Sequence, residues 1–219
     1  MKNKLIIIIA VGLALIGTVI FWQHRLKDDE QSNSKSGENY QIQLPAINGV
    51  PVPENIARTR PIAVVVENHV NARPQSGLTH ADIVYETLAE GGITRFLAIY
   101  QTQNPKEIGP VRSARPYFNF LANMWGSAYA HVGGSEIALS QLNSNVYKNL
   151  EDINQFFFGD YYYRSKDRLA PHNAYTTLDL LRALMQEKGW SDWNPVKFGE
   201  YETIPTEQLQ VTVTKISAT

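Results

Sequence analysis

The sequence predicts an α+β domain, strands and helices mixed along one chain, preceded by one N-terminal transmembrane helix. Three stretches carry that reading. Ile62 to Glu67, IAVVVE, is a continuous β-branched run of the kind that forms a strand covered on both faces. Tyr117, Phe120, Leu121 and Met124 recur at helical spacing behind Pro116, which the first turn of a helix tolerates. Leu5 to Trp22, LIIIIAVGLALIGTVIFW, carries no charge, and at roughly 1.5 Å per helical residue it can cross a bilayer core.

That apolar run ends in bulky Val19-Ile20-Phe21-Trp22 instead of a small-x-small site, which favours a retained anchor over a removed signal. Trp22 suits the interface as an aromatic belt residue. Lys2 and Lys4 precede the run, and Arg25 and Lys27 follow it, so the charge asymmetry is shallow. The orientation expected is residues 1–4 in the cytoplasm, residues 5–22 in the plasma membrane as a single pass, and the globular part extracellular.

Residues 23–59 read as a flexible linker. KDDEQSNSKSGENY is polar and non-periodic and cannot bury enough surface to offset its ordering entropy. Pro45, Pro51 and Pro53 then make an extended approach. Residues 60–207 form the domain proper. Residues 208–219 start a further domain or form a terminal strand, since Leu209, Val211 and Val213 alternate with Gln210, Thr212 and Thr214.

Composition excludes several functions. A net charge of −1 over 219 residues offers no basic face, so nucleic acid is not an expected partner. The absence of cysteine removes disulfides, thiolate metal sites, a cysteine nucleophile and attachment of lipid through a lipobox cysteine. No Gly-Lys dipeptide is present, which rules out a P-loop, and no cofactor or metal is expected.

Within the domain, the IAVVVE strand opens into Asn68 to Leu78, a loop rich in turn formers and a common position for ligand groups. Ala81 to Leu88 is short and fits a strand or a helix. Gly91-Gly92 ends it, and Ile93 to Gln101 reads as a strand. Ser113 to Trp125 is the first clear helix, Ala128 to Val132 a strand, and Glu136 to Leu142 a helix behind Gly133-Gly134-Ser135. Asn149 to Tyr163 is aromatic and unassigned. Thr176 is the expected cap of the last helix, whose stripe is Leu178, Leu181, Leu184 and Met185 and whose stop is Gly189.

The stretch from Tyr85 to Arg115 concentrates polar groups among core-like residues. Arg95, Arg112 and Arg115 suit a phosphate or carboxylate clamp through their planar forks. They equally suit pairing with Glu86, Glu90 and Glu107. Arg112 and Arg115 fall at a helix N-terminus, where a cation is disfavoured unless an anion lies between it and the free N–H groups. Glu86 and Glu90 share a face only if their segment is helical, the condition for an acid/base pair. Ser135 lacks the final glycine of a nucleophile elbow, with Ile137 in its place, and reads first as a helix cap. His131 lies in a strand. His172 and Asn173 follow Pro171 in a loop and make the better site candidates.

RPIAVVVENHVNARPQSGLTHADIVYETLAEGGITRFLAIYQ, IGPVRSARPYF, AHVGGS and APHNAYT resemble the bacterial YerB-like family, a domain of unknown function in lipoproteins and exported proteins. The resemblance runs from about Arg60 to Gly189. It implies a layered sandwich of mixed β-sheet with packed helices and an extracytoplasmic location. It departs from the family in lacking the lipid-bearing cysteine and in retaining only QLQVTVTKISAT where a second domain begins.

The function expected is a membrane-anchored extracytoplasmic protein that binds an anionic cell-envelope ligand. Its site is drawn from Glu86, Glu90, Arg95, Arg112, Arg115, His131, Ser135, His172 and Asn173. The alternatives are an envelope hydrolase using a Glu/His acid-base pair and an envelope assembly factor that binds a protein partner.

Overall fold

A computed structural model describes residues 42–144 and 146–193. The expected anchor at 5–22 and the C-terminal strand at 209–216 lie outside the described residues. Among the described residues no helix is long and apolar enough to cross a membrane.

Residues that the sequence reading assigns to the linker have regular structure. β1 (Gln43–Pro45) and β2 (Pro51–Pro53) form an antiparallel hairpin, followed by the short α1 (Glu54–Ala57). The three prolines stay at the edge of a two-stranded ribbon, where their missing donors cost little. Gln101 ties this approach to the domain. Its side-chain amide donates to the Ala57 and Thr59 carbonyls at 3.0 and 2.8 Å, and its oxygen accepts the Ile47 N–H at 2.9 Å. Residues 43–57, inside the expected linker, are therefore part of the fold.

The sheet is five-stranded and mixed. β3 (Ile62–Glu67) is its centre, with β5 (Thr94–Tyr100) antiparallel on one side and β6 (Ala128–His131) parallel on the other. β4 (Ile83–Leu88) is the outer partner of β5, and β7 (Glu151–Asn154) the parallel outer partner of β6. The doubtful Ala81–Leu88 segment is thus a strand, and its alternation of half-buried and exposed residues marks an edge. Every residue of β3 is buried, as its unbroken apolar run requires.

Helices cover both faces. Ile62, Val64 and Val66 lie under α4 (Leu178–Lys188), whose Leu178, Leu181, Leu184 and Met185 supply the opposing stripe. Ala63 and Val65 lie under α2 (Pro116–Met124) and α3 (Glu136–Asn143), against Phe118, Ala122 and Ala138. Full burial of a valine or leucine side chain contributes about 1.5–3 kcal/mol, so these two clusters carry most of the driving force.

Two details differ from the sequence reading. The buried face of α2 is Phe118, Asn119 and Ala122, and Phe120 is 56% exposed. Periodicity alone selected the neighbouring stripe, whereas Asn119 turns inward because its amide donates to the Ala138 carbonyl of α3. The cap of α4 is Thr177, whose hydroxyl accepts the Leu180 N–H; Thr176 instead donates to the Tyr161 carbonyl. Gly189 does close α4, at φ +69 where a side chain would be strained.

β3 and β6 pair from Ile62 and Ala128 as far as Val64 and Ala130 and then separate. The segment Ile108–Ala114 fills the gap. The Arg112 N–H donates to the Val65 carbonyl and its own carbonyl accepts from Val132, so Arg112 is held by backbone bonds to both sides. A short ribbon, β8 (Tyr163–Arg164) with β9 (Ala174–Tyr175), completes this end of the molecule, and the Val111 N–H donates to the Ala174 carbonyl.

Candidate functional site

At the carboxyl end of β3 the apolar run gives way to Glu67 and Asn68, both buried. A buried carboxylate is stable only when its oxygens are matched. Glu67 Oε1 takes the Arg112 guanidinium at 2.9 Å and Oε2 takes His172 Nδ1 at 3.0 Å. The imidazole therefore carries a hydrogen on Nδ1, and its Nε2 has no hydrogen bond among the described residues. His69 stacks on His172 with ring centroids 4.8 Å apart. His69 Nδ1 accepts the Asn71 N–H, which orients that ring as well. The Nε nitrogen of Arg112 is buried without a partner, so this guanidinium is under-satisfied despite its ion pair.

Asn68 organises the loop around this pair. Its amide donates to Thr94 at 2.6 Å and to Glu86 at 3.3 Å, and its oxygen accepts from Arg73 at 3.0 Å and Gln75 at 2.8 Å. Arg168 reaches in from the β8–β9 turn and donates to the carbonyls of Asn71, Arg73 and Pro74. Arg164 donates to the Asn173 side chain at 3.0 Å. Among the described residues Arg73, Arg164 and Arg168 form no ion pair with a carboxylate; their partners are carbonyls and amides.

The other predicted arginines form a separate group that shares one carboxylate. Glu90 accepts from Arg115 through one oxygen and from Arg95 at 3.3 Å through the other. The Arg115 hydrogen bond holds the Glu90 carboxyl down at about 2, against the opposing effect of burial. Burial, with Arg115 beside it, lowers the Arg95 guanidinium, and Glu90 partly restores it. Arg95 also donates to the Ser113 carbonyl at 2.9 Å. The two groups are neighbours, since Glu67 and Arg95 are directly paired across β3 and β5.

Because Glu86 lies in a strand and Glu90 in the turn after it, their four-residue spacing does not give them a common face. Glu86 bonds to Asn68 and Thr94, Glu90 to two arginines. Among the described residues Glu107 pairs with no arginine; it accepts from Ser76 and Tyr163, each at 2.7 Å. Burial, with the Glu107 hydrogen bond second, pushes the Tyr163 phenol up.

His131 is fully buried at the end of β6. Its Nδ1 lies 2.7 Å from the Gly133 carbonyl and its Nε2 2.6 Å from Asp152. Both ring nitrogens are occupied, so His131 supports the strand end and offers nothing to a ligand. Gly133 sits at φ +57, and a Cβ there would fall 2.6 Å from the Phe156 ring. Ser135 caps α3, its hydroxyl accepting the Ala138 N–H at 3.3 Å. Among the described residues no group of three or more His, Asp or Glu is placed to hold a metal ion.

Comparison with known proteins adds the family. Residues 47–191 match the family described as "Protein of unknown function (DUF3048) N-terminal domain". The chain belongs to that family. It is 42% identical over 165 residues to "Putative lipoprotein YerB" of Bacillus subtilis, a match covering 74% of this chain and 49% of the relative. The crystal structure of Bacillus subtilis YerB aligns with a TM-score of 0.64 at 44% identity, over 70% of this chain and 53% of that one. The chain thus spans about half the length of the relative it matches. The YerB-like resemblance of the motifs and the mixed sheet with packed helices are both upheld.

Sequence reasoning names Arg112, His172 and Asn173, and the structure sets Arg112 and His172 on Glu67 while Asn173 bonds to Arg164 and Ser165. It does not single out Glu67, His69, Arg73, Arg164 and Arg168. A signal for Glu67 was present: a carboxylate closing a five-residue apolar run must be buried or nearly so, and must have cationic partners.

Proposed function

We infer that this domain binds an anionic cell-envelope ligand at the carboxyl end of β3, between the Asn68–Gln75 loop and the β8–β9 ribbon. The observation that carries this reading is the cation surplus there. Arg73, Arg164 and Arg168 approach one buried ion pair and bring no carboxylate partner of their own among the described residues. Bidentate forks of this kind match phosphate or carboxylate oxygens. The protein acts on the outside of the membrane, in keeping with the lipoprotein description of its Bacillus relative. This sequence has no cysteine for a lipid, and the apolar segment at 5–22 supplies the anchor instead.

The site therefore shifts from the trio Arg95, Arg112 and Arg115 to Arg73, Arg112, Arg164 and Arg168, with His172 and Asn173. A second reading draws on His172, whose Nδ1 is oriented by Glu67 and whose Nε2 is open. A carboxylate-oriented imidazole can act as a general base in an envelope hydrolase. Glu90 is unsuited to that role as an acid, because its proton is lost near pH 2.

The test is a thermal-shift screen of the full chain in lipid nanodiscs against wall fragments, phosphorylated polymer fragments, nucleotides and inorganic phosphate. A ligand at a hundredfold its dissociation constant adds about 2.7 kcal/mol. The shift is expected to vanish in Arg164→Glu and Arg73→Glu. A shift that survives both substitutions overturns the assignment of the site. Turnover of a bound fragment that is lost in His172→Gln while binding persists would favour the hydrolase.

A further inference from the structure

A second site lies at the opposite end of the sheet. Thr59 and Arg60 lead into the amino end of β3, and with Arg182, Met185 and Gln186 of α4 and Ser191 beyond it they line a cleft of about 440 Å³. That volume falls in the range of small-molecule sites.

The two arginines of this cleft are in different states. Arg60 is bonded through each of its three nitrogens. Its Nη1 meets Glu151 at 3.2 Å, and its Nε and Nη2 donate to the Asp192 carbonyl at 3.1 and 2.7 Å. Arg182 is half-buried and has neither a hydrogen bond nor an ion pair among the described residues. Asp179, one turn earlier, attracts it at longer range without a direct ion pair, and one of its oxygens accepts from Asn104 at 2.8 Å. Burial lowers the Arg182 guanidinium below its usual value, a desolvation that the Asp179 charge only partly counters.

We propose that this cleft binds a small monocarboxylate with an apolar body, its carboxylate on the Arg182 fork and its body against Met185. A single unpaired guanidinium, with Arg60 already paired to Glu151 and the Asp192 carbonyl, matches one carboxylate and not a polyphosphate. The Gln186 amide and the Ser191 hydroxyl stand at the same rim without side-chain hydrogen bonds among the described residues. They would pair with an amide beside the carboxylate. The chemistry is that of a peptide's C-terminal residue or of a short fatty acid.

The probes are N-acetylleucine, N-acetylleucinamide and hexanoate, titrated calorimetrically into the full chain in nanodiscs. N-acetylleucine is expected to bind and its amide not to. Losing a charged hydrogen-bond pair costs about 1.5–3 kcal/mol, so Arg182→Gln is expected to weaken binding at least about tenfold. Arg164→Glu, at the other end, is expected to leave it unchanged, which separates this site from the one proposed above. Hexanoate binding as well as N-acetylleucine identifies a carboxylate site that does not read the amide; N-acetylleucine alone identifies a peptide end. No binding of either acid, equal binding of acid and amide, or binding unaffected by Arg182→Gln overturns the proposal. The unfolding midpoint of Arg182→Gln without ligand is expected at or above wild type, because a half-buried charge is removed. A fall would show that the guanidinium is satisfied within the protein, and the proposal would fail.

Discussion

Two groups of arginines meet where β3 and β5 pair, and they differ in how their charge is met. Arg95 and Arg115 share the exposed carboxylate of Glu90, which takes one guanidinium on each oxygen. Around Glu67, Arg112 has a buried carboxylate that it shares with His172, and Arg73, Arg164 and Arg168 have none among the described residues. In the first group each guanidinium has a carboxylate oxygen, and the group braces the β4–β5 turn against the start of α2. The second is open, and its surplus charge faces the loops. One residue type serves as structure or as prospective site depending on the carboxylates within reach, and the sequence spacing of the arginines does not distinguish the two.

The comparison breaks most visibly at Glu67. Glu67→Ala leaves the Arg112 guanidinium buried and unpaired and removes the orienting partner of His172. Breaking a buried pair this way costs about 3–5 kcal/mol, to be read in chemical denaturation. A loss below about 1 kcal/mol would show that Glu67 is not the electrostatic centre of its group.

The Glu90 group is expected to give less. Its carboxyl is depressed from 4.5 to about 2, so its stabilising contribution is fully present above the unfolded value and is lost as pH falls through the folded one. With its side chain 64% exposed, solvent screening limits that contribution to about 1 kcal/mol. Glu90→Gln is expected to remove it at pH 7 and to converge with wild type near pH 2. A constant difference across that range would assign the effect to packing.

Ser135→Ala removes the cap of α3 and is expected to cost about 1 kcal/mol without altering ligand binding, which would mark Ser135 as structural. Arg164→Ala is expected to have the smallest effect on stability, within about 0.5 kcal/mol of wild type, because its described bond is a single exposed one to Asn173. It should nevertheless weaken anion binding, and that split between stability and binding sets the open group apart from the Glu90 group.

Local chemistry was legible wherever one element decides it. The β-branched run of β3, the leucine stripe and terminal glycine of α4, Pro116 at the start of α2 and the cap at Ser135 follow from periodicity and backbone preference within a few residues. So does the concentration of polar groups between β3 and α2. Tertiary structure decided the partners. Glu67 meets His172 across 105 positions and Arg168 meets Pro74 across 94, contacts that no local pattern encodes. It decided that Glu90 and not Glu107 takes the arginines, because the β4–β5 hairpin folds its turn onto the start of α2 while Glu107 is held by Ser76 and Tyr163. It also turned Asn119 of α2 toward Ala138 and set Phe120 outside, against the stripe that periodicity selects. Hydrophobic patterning is additive along a chain, so sequence suffices for it. The role of a charged side chain depends on which opposite charges the fold brings within a few ångströms, and that distance exists only once the chain has folded.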